Sequence, residues 1–241
     1  MPYVKKTVSY GNYIDFEFYH TKRQLNSLPE VRRPKFKETT AAQQEVNRRN
    51  AVVNLRRLIC CNFVRDDLHL QLKYIRKSGE PYRTEDEMRK DIAFFHRKMR
   101  AEYQKKGIDY KYIHVMEIGS RGARHHHLIV NYIDPRIIRK HWPFARVTYT
   151  HLDGGDYKKL AAYLIKQSDE LFRGKTLMKQ RFNCSKGLKR PKVKKEVVKR
   201  ASTFRPTVHP VRDFHLVNGS EFFGADINGY VFFKYTMQKN E

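Results

Sequence analysis

Cysteine is scarce in this chain: Cys60, Cys61 and Cys184, an odd count with two adjacent and no C-x-x-C spacing. That excludes a disulfide framework and a Cys-type zinc site, and it fits a reducing, cytoplasmic setting. Acidic residues are also few, 25 against 50 Lys and Arg, for a formal net charge of +25. Such an excess implies a polyanionic partner, most often nucleic acid. No apolar run reaches the ~18–20 residues of a membrane span. Met1-Pro2-Tyr3-Val4-Lys5-Lys6 has no apolar stretch behind it, so no membrane partner is expected. Gly174-Lys175-Thr176 imitates the end of a phosphate loop, but Asp169 stands where its first glycine belongs, and no nucleotide cofactor is expected. Aromatic residues, by contrast, are plentiful. Fifteen Phe and 15 Tyr within 40% hydrophobic content exclude a disordered basic tail, and 241 residues suffice for a sizeable α+β domain with extensions.

Hydrophobic periodicity supplies the elements. Residues 8–19 alternate aromatic and polar groups and read as one strand, followed by a basic connection through Pro29 and Pro34. A helix is expected from about Thr40 to Leu58, and a strand from Leu68 to Tyr74 with its leucines on one face. Thr84-x-x-Glu87 is a capping box, and Met88, Ile92, Phe95 and Met99 then recur at helical spacing until Gly107. Lys111–Ile118 and Arg124–Tyr132 read as strands joined by a five-residue loop. If that loop closes a hairpin, Ile118 faces Arg124, Glu117 faces His125 and Val115 faces His127. Asp156 is a plausible N-cap for a helix from Tyr157 to about Glu170, with Leu160, Ala161, Leu164 and Ile165 as its apolar stripe. Lys159, Tyr163 and Lys166 lie on the opposite side of that helix.

Histidines at i and i+2 of a strand share a face, so His125 and His127 stand side by side with Glu117 across from them. Two imidazoles and a carboxylate suit a divalent ion, Mg²⁺ or Mn²⁺, with positions left open for phosphate oxygens. A tyrosine oxygen can attack a phosphate held there once a cation such as Lys159 or Lys166 favours its phenolate. Attack at phosphorus leaves a 5′-phosphotyrosine and a free 3′-hydroxyl. His126 points to the other face and, like His114, reads as structural, and Trp142 reads as a packing anchor. Tyr157 is a weaker alternative to Tyr163.

His125-His126-His127 resembles the His-hydrophobe-His signature of HUH-superfamily replication initiators, with His126 in the hydrophobe's place. Met116-Glu117-Ile118-Gly119-x-x-Gly122 before it and Tyr163-x-x-Lys166 after it are similar to the pattern of rolling-circle Rep proteins of bacterial plasmids and small phages. So is Arg181-Phe182-Asn183-Cys184-Ser185-Lys186-Gly187-Leu188-x-x-Pro191. The likeness covers roughly residues 40 to 190. It implies an antiparallel sheet of about five strands flanked by helices, carrying N- and C-terminal β extensions. It further implies His125, His127 and Glu117 as metal ligands, Tyr163 as nucleophile, and single-stranded origin DNA as substrate, nicked and later religated. Without a helicase motif, the chain would borrow a host helicase. A leucine at 126 would restore the signature and is expected to be tolerated. Two features depart from the pattern: the family's Thr-rich first motif falls near Leu68 to Tyr74, where Gln71 and Lys73 stand, and only one tyrosine lies in the Y-x-x-K frame. An HUH transposase or relaxase shares this chemistry, and a non-catalytic basic nucleic-acid-binding protein is the rival from another class.

Residues 166–205 carry 14 Lys and Arg against three acidic residues and read as a phosphate-binding surface, with Lys186, Lys189, Arg190, Lys192, Lys194 and Lys195 as contacts. The chain thus reads as residues 1–39, a nuclease core at 40–172, a basic segment at 173–205 and a β-rich segment at 206–241, all within one compact unit.

Overall fold

The capping box at Thr84 does in three dimensions what its spacing promises. The Thr84 hydroxyl accepts from the Glu87 amide and the Glu87 carboxylate accepts from the Thr84 amide, which satisfies donors that a helix start would otherwise leave bare. The computed structural model describes residues 3–21, 40–76, 82–119, 122–173, 181–198, 206–226 and 229–240. The connection through Pro29 and Pro34 and the Gly174-Lys175-Thr176 tripeptide lie outside these residues. In chain order the elements are β1 (Tyr3–Tyr10), β2 (Tyr13–His20), α1 (Ala41–Asn62), β3 (Leu68–Lys73), α2 (Glu85–Lys105), β4 (Tyr112–Ile118), β5 (Arg124–Val130) and α3 (Pro135–Lys140). There follow β6 (Val147–His151), α4 (Lys158–Arg173), β7 (Asn183–Cys184), β8 (Lys192–Val197), β9 (Phe214–Leu216), β10 (Phe222–Ala225) and β11 (Val231–Lys239). No helix among the described residues is long and apolar enough to cross a membrane.

Contacts divide the chain into two units, Thr40–Lys189 and Met1–Thr39 with Arg190–Glu241, where the sequence suggested four stretches of one unit. The first unit is the expected antiparallel five-stranded sheet, in the order β6-β3-β5-β4-β7. Helices cover both faces. On one face, Leu55, Leu58 and Ile59 of α1 and Ala161, Leu164 and Ile165 of α4 enclose Ile113, Val115 and Ile129. On the other, Ile92, Phe95, Met99 and Tyr103 of α2 and Ile138 of α3 meet Leu68, Leu70, Leu72, Leu128 and Val130. Truncating Phe95 or Met99 to alanine would cost about 2–5 kcal/mol, because such a cavity collapses only in part. Trp142 anchors this side, its ring buried and its Nε1–H donated to the Lys73 carbonyl at 2.8 Å.

The second unit holds a six-stranded antiparallel sheet, β10-β11-β2-β1-β8 with β9 beside β11. The single strand expected over residues 8–19 is instead a hairpin, since Gly11 takes φ 52° and turns the chain between Tyr10 and Tyr13. The N- and C-terminal extensions therefore form one sheet, with Phe16, Phe18, Phe233, Tyr235 and Met237 as its core. The basic segment contributes to it as well: β8 pairs with β1, Lys195 opposite Lys6.

Candidate functional site

The β4–β5 hairpin has the expected register: Ile118 opposite Arg124, Glu117 opposite His125 and Val115 opposite His127. Its loop closes with the Gly119 amide donating to the Ala123 carbonyl at 2.8 Å. Gly122 takes φ +81°, and a Cβ there would meet the Tyr82 ring at 2.7 Å, so only glycine fits without moving that ring. One carboxylate oxygen, Glu117 Oε2, accepts from His127 Nε2 at 2.6 Å and lies 3.5 Å from His125 Nδ1. Burial pushes the Glu117 carboxyl up, but the imidazoles of His125 and His127 beside it outweigh that and hold it at about 2.

An octahedral ion with ligands at roughly 2.0–2.1 Å sets neighbouring donors about 3 Å apart. The separations of 2.6 and 3.5 Å bracket that value, and the donor set of two imidazoles and a carboxylate suits Mg²⁺ or Mn²⁺. No three His, Cys, Asp or Glu side chains among the described residues surround a common centre, and Glu117 hydrogen-bonds His127 directly. Buried nitrogens without a hydrogen-bond partner nevertheless cluster here: His125 Nδ1, His127 Nδ1 and His69 Nε2. The donor chemistry suits such an ion, and the His127–Glu117 hydrogen bond would have to give way for both to share it.

His69 is the residue that pattern reading missed. It lies on β3, whose register sets Gln71 opposite His127 and Lys73 opposite His125, so His69, Gln71 and Lys73 share the ligands' face. Its ring stacks on His127 at 5.7 Å and meets the edge of Tyr163 at 6.3 Å. Burial, with His127 beside it, lowers its pKa to about 4 and keeps it neutral. Gln71 and Lys73, the departures from the Thr-rich motif, thus border the site; Gln71 Oε1 accepts from Thr148 at 3.4 Å.

Tyr163 reaches the same face from α4. Its ring stands edge-on to His127 at 5.4 Å, and the residue is 40% exposed to solvent. The expected cationic activation is not what surrounds the phenol. Burial and the Glu117 charge raise its pKa, and the opposing hydrogen bond comes from Gln167, not from a lysine. Lys159 and Lys166 are exposed, one helical turn to either side. Tyr157 lies outside the helix it was expected to begin. It takes φ 54° just before α4, with Asp156 Oδ1 accepting from the Lys158 amide at 2.8 Å. Its side chain is buried in the core with Leu55 and Leu164 rather than beside the histidines, and burial raises its hydroxyl to about 12.

Residues 67–170 match the family model described as Replication-associated protein ORF2/G2P. The matched stretch contains every residue gathered above, from His69 to Tyr163, and supports a role in DNA replication; it is narrower than the likeness to residues 40–190 read from motifs. No curated protein and no solved structure matches the chain.

His126 occupies the opposite face of the same sheet. It is fully buried; His114 Nε2 lies 2.9 Å from its Nδ1 and Tyr74 Oη 3.0 Å from its Nε2. Burial, with His96 beside it, lowers its pKa to about 3, so the ring is neutral. One assignment satisfies both His126 nitrogens: His114 donates to Nδ1, and Nε2 donates to Tyr74. A leucine at 126 would leave both partners without this contact, which argues against the tolerance expected from the motif.

The six residues expected as phosphate contacts are divided between the two units. Lys186 and Lys189 are exposed in the loop after β7, and Arg190 begins the other unit. Lys192, Lys194 and Lys195 are exposed on β8, where strand alternation puts Lys195 on the face opposite Lys192 and Lys194, and Lys194 pairs with Glu196 at 2.9 Å.

Proposed function

We propose that this chain is a metal-dependent, single-tyrosine HUH endonuclease that nicks single-stranded DNA at a replication origin, keeps the 5′ end on Tyr163 and later religates it. The observation that carries this reading is the convergence of His125, His127, Glu117 and Tyr163 on one sheet face, with imidazole nitrogens left unpaired beside an accessible phenol. In the cleavage step the Tyr163 oxygen forms a bond to phosphorus and the bond from phosphorus to the 3′-oxygen breaks. Overall, the phenolic proton is exchanged for one on the departing 3′-hydroxyl. His125, His127 and Glu117 would hold Mg²⁺ or Mn²⁺, whose chemistry when bound is to polarise the scissile phosphate and orient it for in-line attack. The phenol's raised pKa means that Tyr163 stays protonated until substrate arrives. Basic residues, Lys159 and Lys166 nearest, then supply charge against the DNA backbone. Strand separation falls to a host helicase.

A second reading, a non-catalytic DNA-binding protein, is favoured by the direct His127–Glu117 hydrogen bond, which could be a structural pair. Incubation with Mn²⁺ and single-stranded origin DNA, followed by a denaturing gel, separates the two. The wild type is expected to form a covalent adduct, and Tyr163→Phe to bind the same DNA yet form none. An adduct of undiminished yield in that variant removes Tyr163 from the mechanism; no adduct from the wild type favours the binder.

A further inference from the structure

Beside the nucleophile lies a cavity of about 390 Å³ that none of the chemistry above employs. It opens between the end of β6 and the start of α4, and its wall includes His69, Thr150, Asp153, Tyr157, Lys158 and Lys159. His69 ties it to the site, since that ring also meets Tyr163. Lys159 precedes Tyr163 by one helical turn, on the same side of α4. The volume falls at the lower end of the range for small-molecule pockets, suited to one planar group rather than to a duplex.

The wall has three kinds of group. Lys158 and Lys159 are exposed cations at the start of the helix. The rings of His69 and Tyr157 contribute to the wall, Tyr157 only marginally because its side chain is largely buried in the core. Its acceptors are the Thr150 hydroxyl and two carboxylates, which are not equally free. Asp156 Oδ1 accepts from the Lys158 amide, and its Oδ2 lies 3.4 Å from Arg56. Asp153 Oδ1 accepts from the Gly155 amide at 2.8 Å, while Asp153 is itself exposed, which leaves its second oxygen for a ligand. The turn that presents these groups is built from left-handed backbone, Gly154 at φ +80° and Tyr157 at φ 54°. A non-glycine residue held in that region is strained, and such strain persists only where surrounding structure fixes it.

We infer that this cavity takes one unstacked nucleotide next to the scissile phosphate and selects a base bearing an exocyclic amine. The reading rests on the nuclease proposal for the identity of the strand, and adds the base choice. Single-stranded nucleic acid is read by bases splayed from the stack, laid on flat side chains and hydrogen-bonded at their edges. A carboxylate accepts from an exocyclic amine such as cytosine N4, and thymine has no such donor. Lys158 and Lys159 meet the flanking phosphates, which position the strand without reading it.

The test uses binding alone, in EDTA, so that it does not depend on cleavage. A pool of random single-stranded DNA is bound to the full-length protein, and the bound fraction is sequenced. Wild type is expected to discriminate against thymine at one position by about tenfold, the size of one edge-read contact. Asp153→Asn keeps a carbonyl oxygen for the Gly155 amide but puts a donor where the free acceptor was. Thr150→Val keeps the shape of the side chain and removes its hydroxyl. Asp153→Asn should reduce the discrimination to about twofold, Thr150→Val by a smaller factor, with total affinity within about twofold of wild type. A Lys90→Ala control should change nothing. Discrimination that is absent in wild type, that favours thymine, or that survives unchanged in both variants overturns the base pocket. The nuclease proposal is judged separately by the adduct gel.

Discussion

His126 and His127 follow one another on β5 and are equally removed from water, yet they face opposite sides of the sheet and opposite kinds of surroundings. On the His126 side both ring nitrogens are engaged, in a chain that runs from His114 through Tyr74, and His96 nearby meets Tyr110 at 2.9 Å. On the His127 side one nitrogen meets Glu117, and the other is buried and unpaired, as is a nitrogen of His125 and one of His69. Burial alone therefore does not tell these two histidines apart. What differs is whether the fold itself satisfies the ring. A closed network is complete without a ligand, whereas buried nitrogens left open carry a cost that something else must relieve.

The largest effect expected from breaking this contrast is on the open side. Alanine at Glu117, His125 or His127 should lower single-strand nicking in Mn²⁺ by two orders of magnitude or more, while the urea midpoint of the folded protein falls little. Calorimetry should show Mn²⁺ affinity lost in a His125/His127 double alanine variant. Equal affinity in that variant and in wild type would remove the metal from these residues.

On the closed side the prediction reverses: His126→Leu should leave Mn²⁺ binding in place and cost stability, about 1–3 kcal/mol for each partner left unpaired. Urea unfolding measures it. Adding His114→Leu removes one stranded donor and should recover part of the loss; a single variant as stable as wild type would mean that the His114–His126–Tyr74 chain does not exist in solution.

The smallest effect sharpens the same comparison through pH. Burial, with Arg100 nearby, holds His96 at about 3 in the fold, against its ordinary value near 6.5. A depressed folded pKa means that the neutral ring's contribution is present above about 6.5 and is lost as pH falls below it, because the unfolded chain takes up the proton first. The slope for one proton is about 1.4 kcal/mol per pH unit. His96→Phe, which removes the Tyr110 contact, should lower stability modestly at pH 7.5 and flatten its fall between pH 6 and pH 4. An unchanged slope would mean that His96 is not held neutral.

Much of the site could be read from the sequence because its geometry is local. Glu117, His125 and His127 belong to two strands joined by five residues, so the loop length and the two-residue strand period fix who faces whom. The capping box at Thr84 and the apolar stripe of α4 are local for the same reason. His69 was hidden because β3 shows the alternation of a half-exposed strand, with leucines at 68, 70 and 72. Its polar positions read as a solvent face, and only the distant packing of α4 turns that face into a site. The pairing of β8 with β1 joins residues nearly the whole chain apart, and no short-range signal encodes it. The left-handed Tyr157 is likewise invisible to a pattern, since a bulky aromatic seldom occupies that region.

The strand that carries both imidazoles is the middle one of five, hydrogen-bonded along both of its edges. In mechanical terms its backbone is held from both sides: shifting the backbone of His125 relative to that of Glu117 requires peeling a ladder, whereas the side chains themselves can still turn. That backbone spacing is thus a property of the folded unit as a whole, present in full or absent. A destabilising change far away, in the α2 core for instance, would leave that spacing intact in every molecule still folded and only reduce their number. Activity per folded molecule should then stay constant down to the unfolding transition.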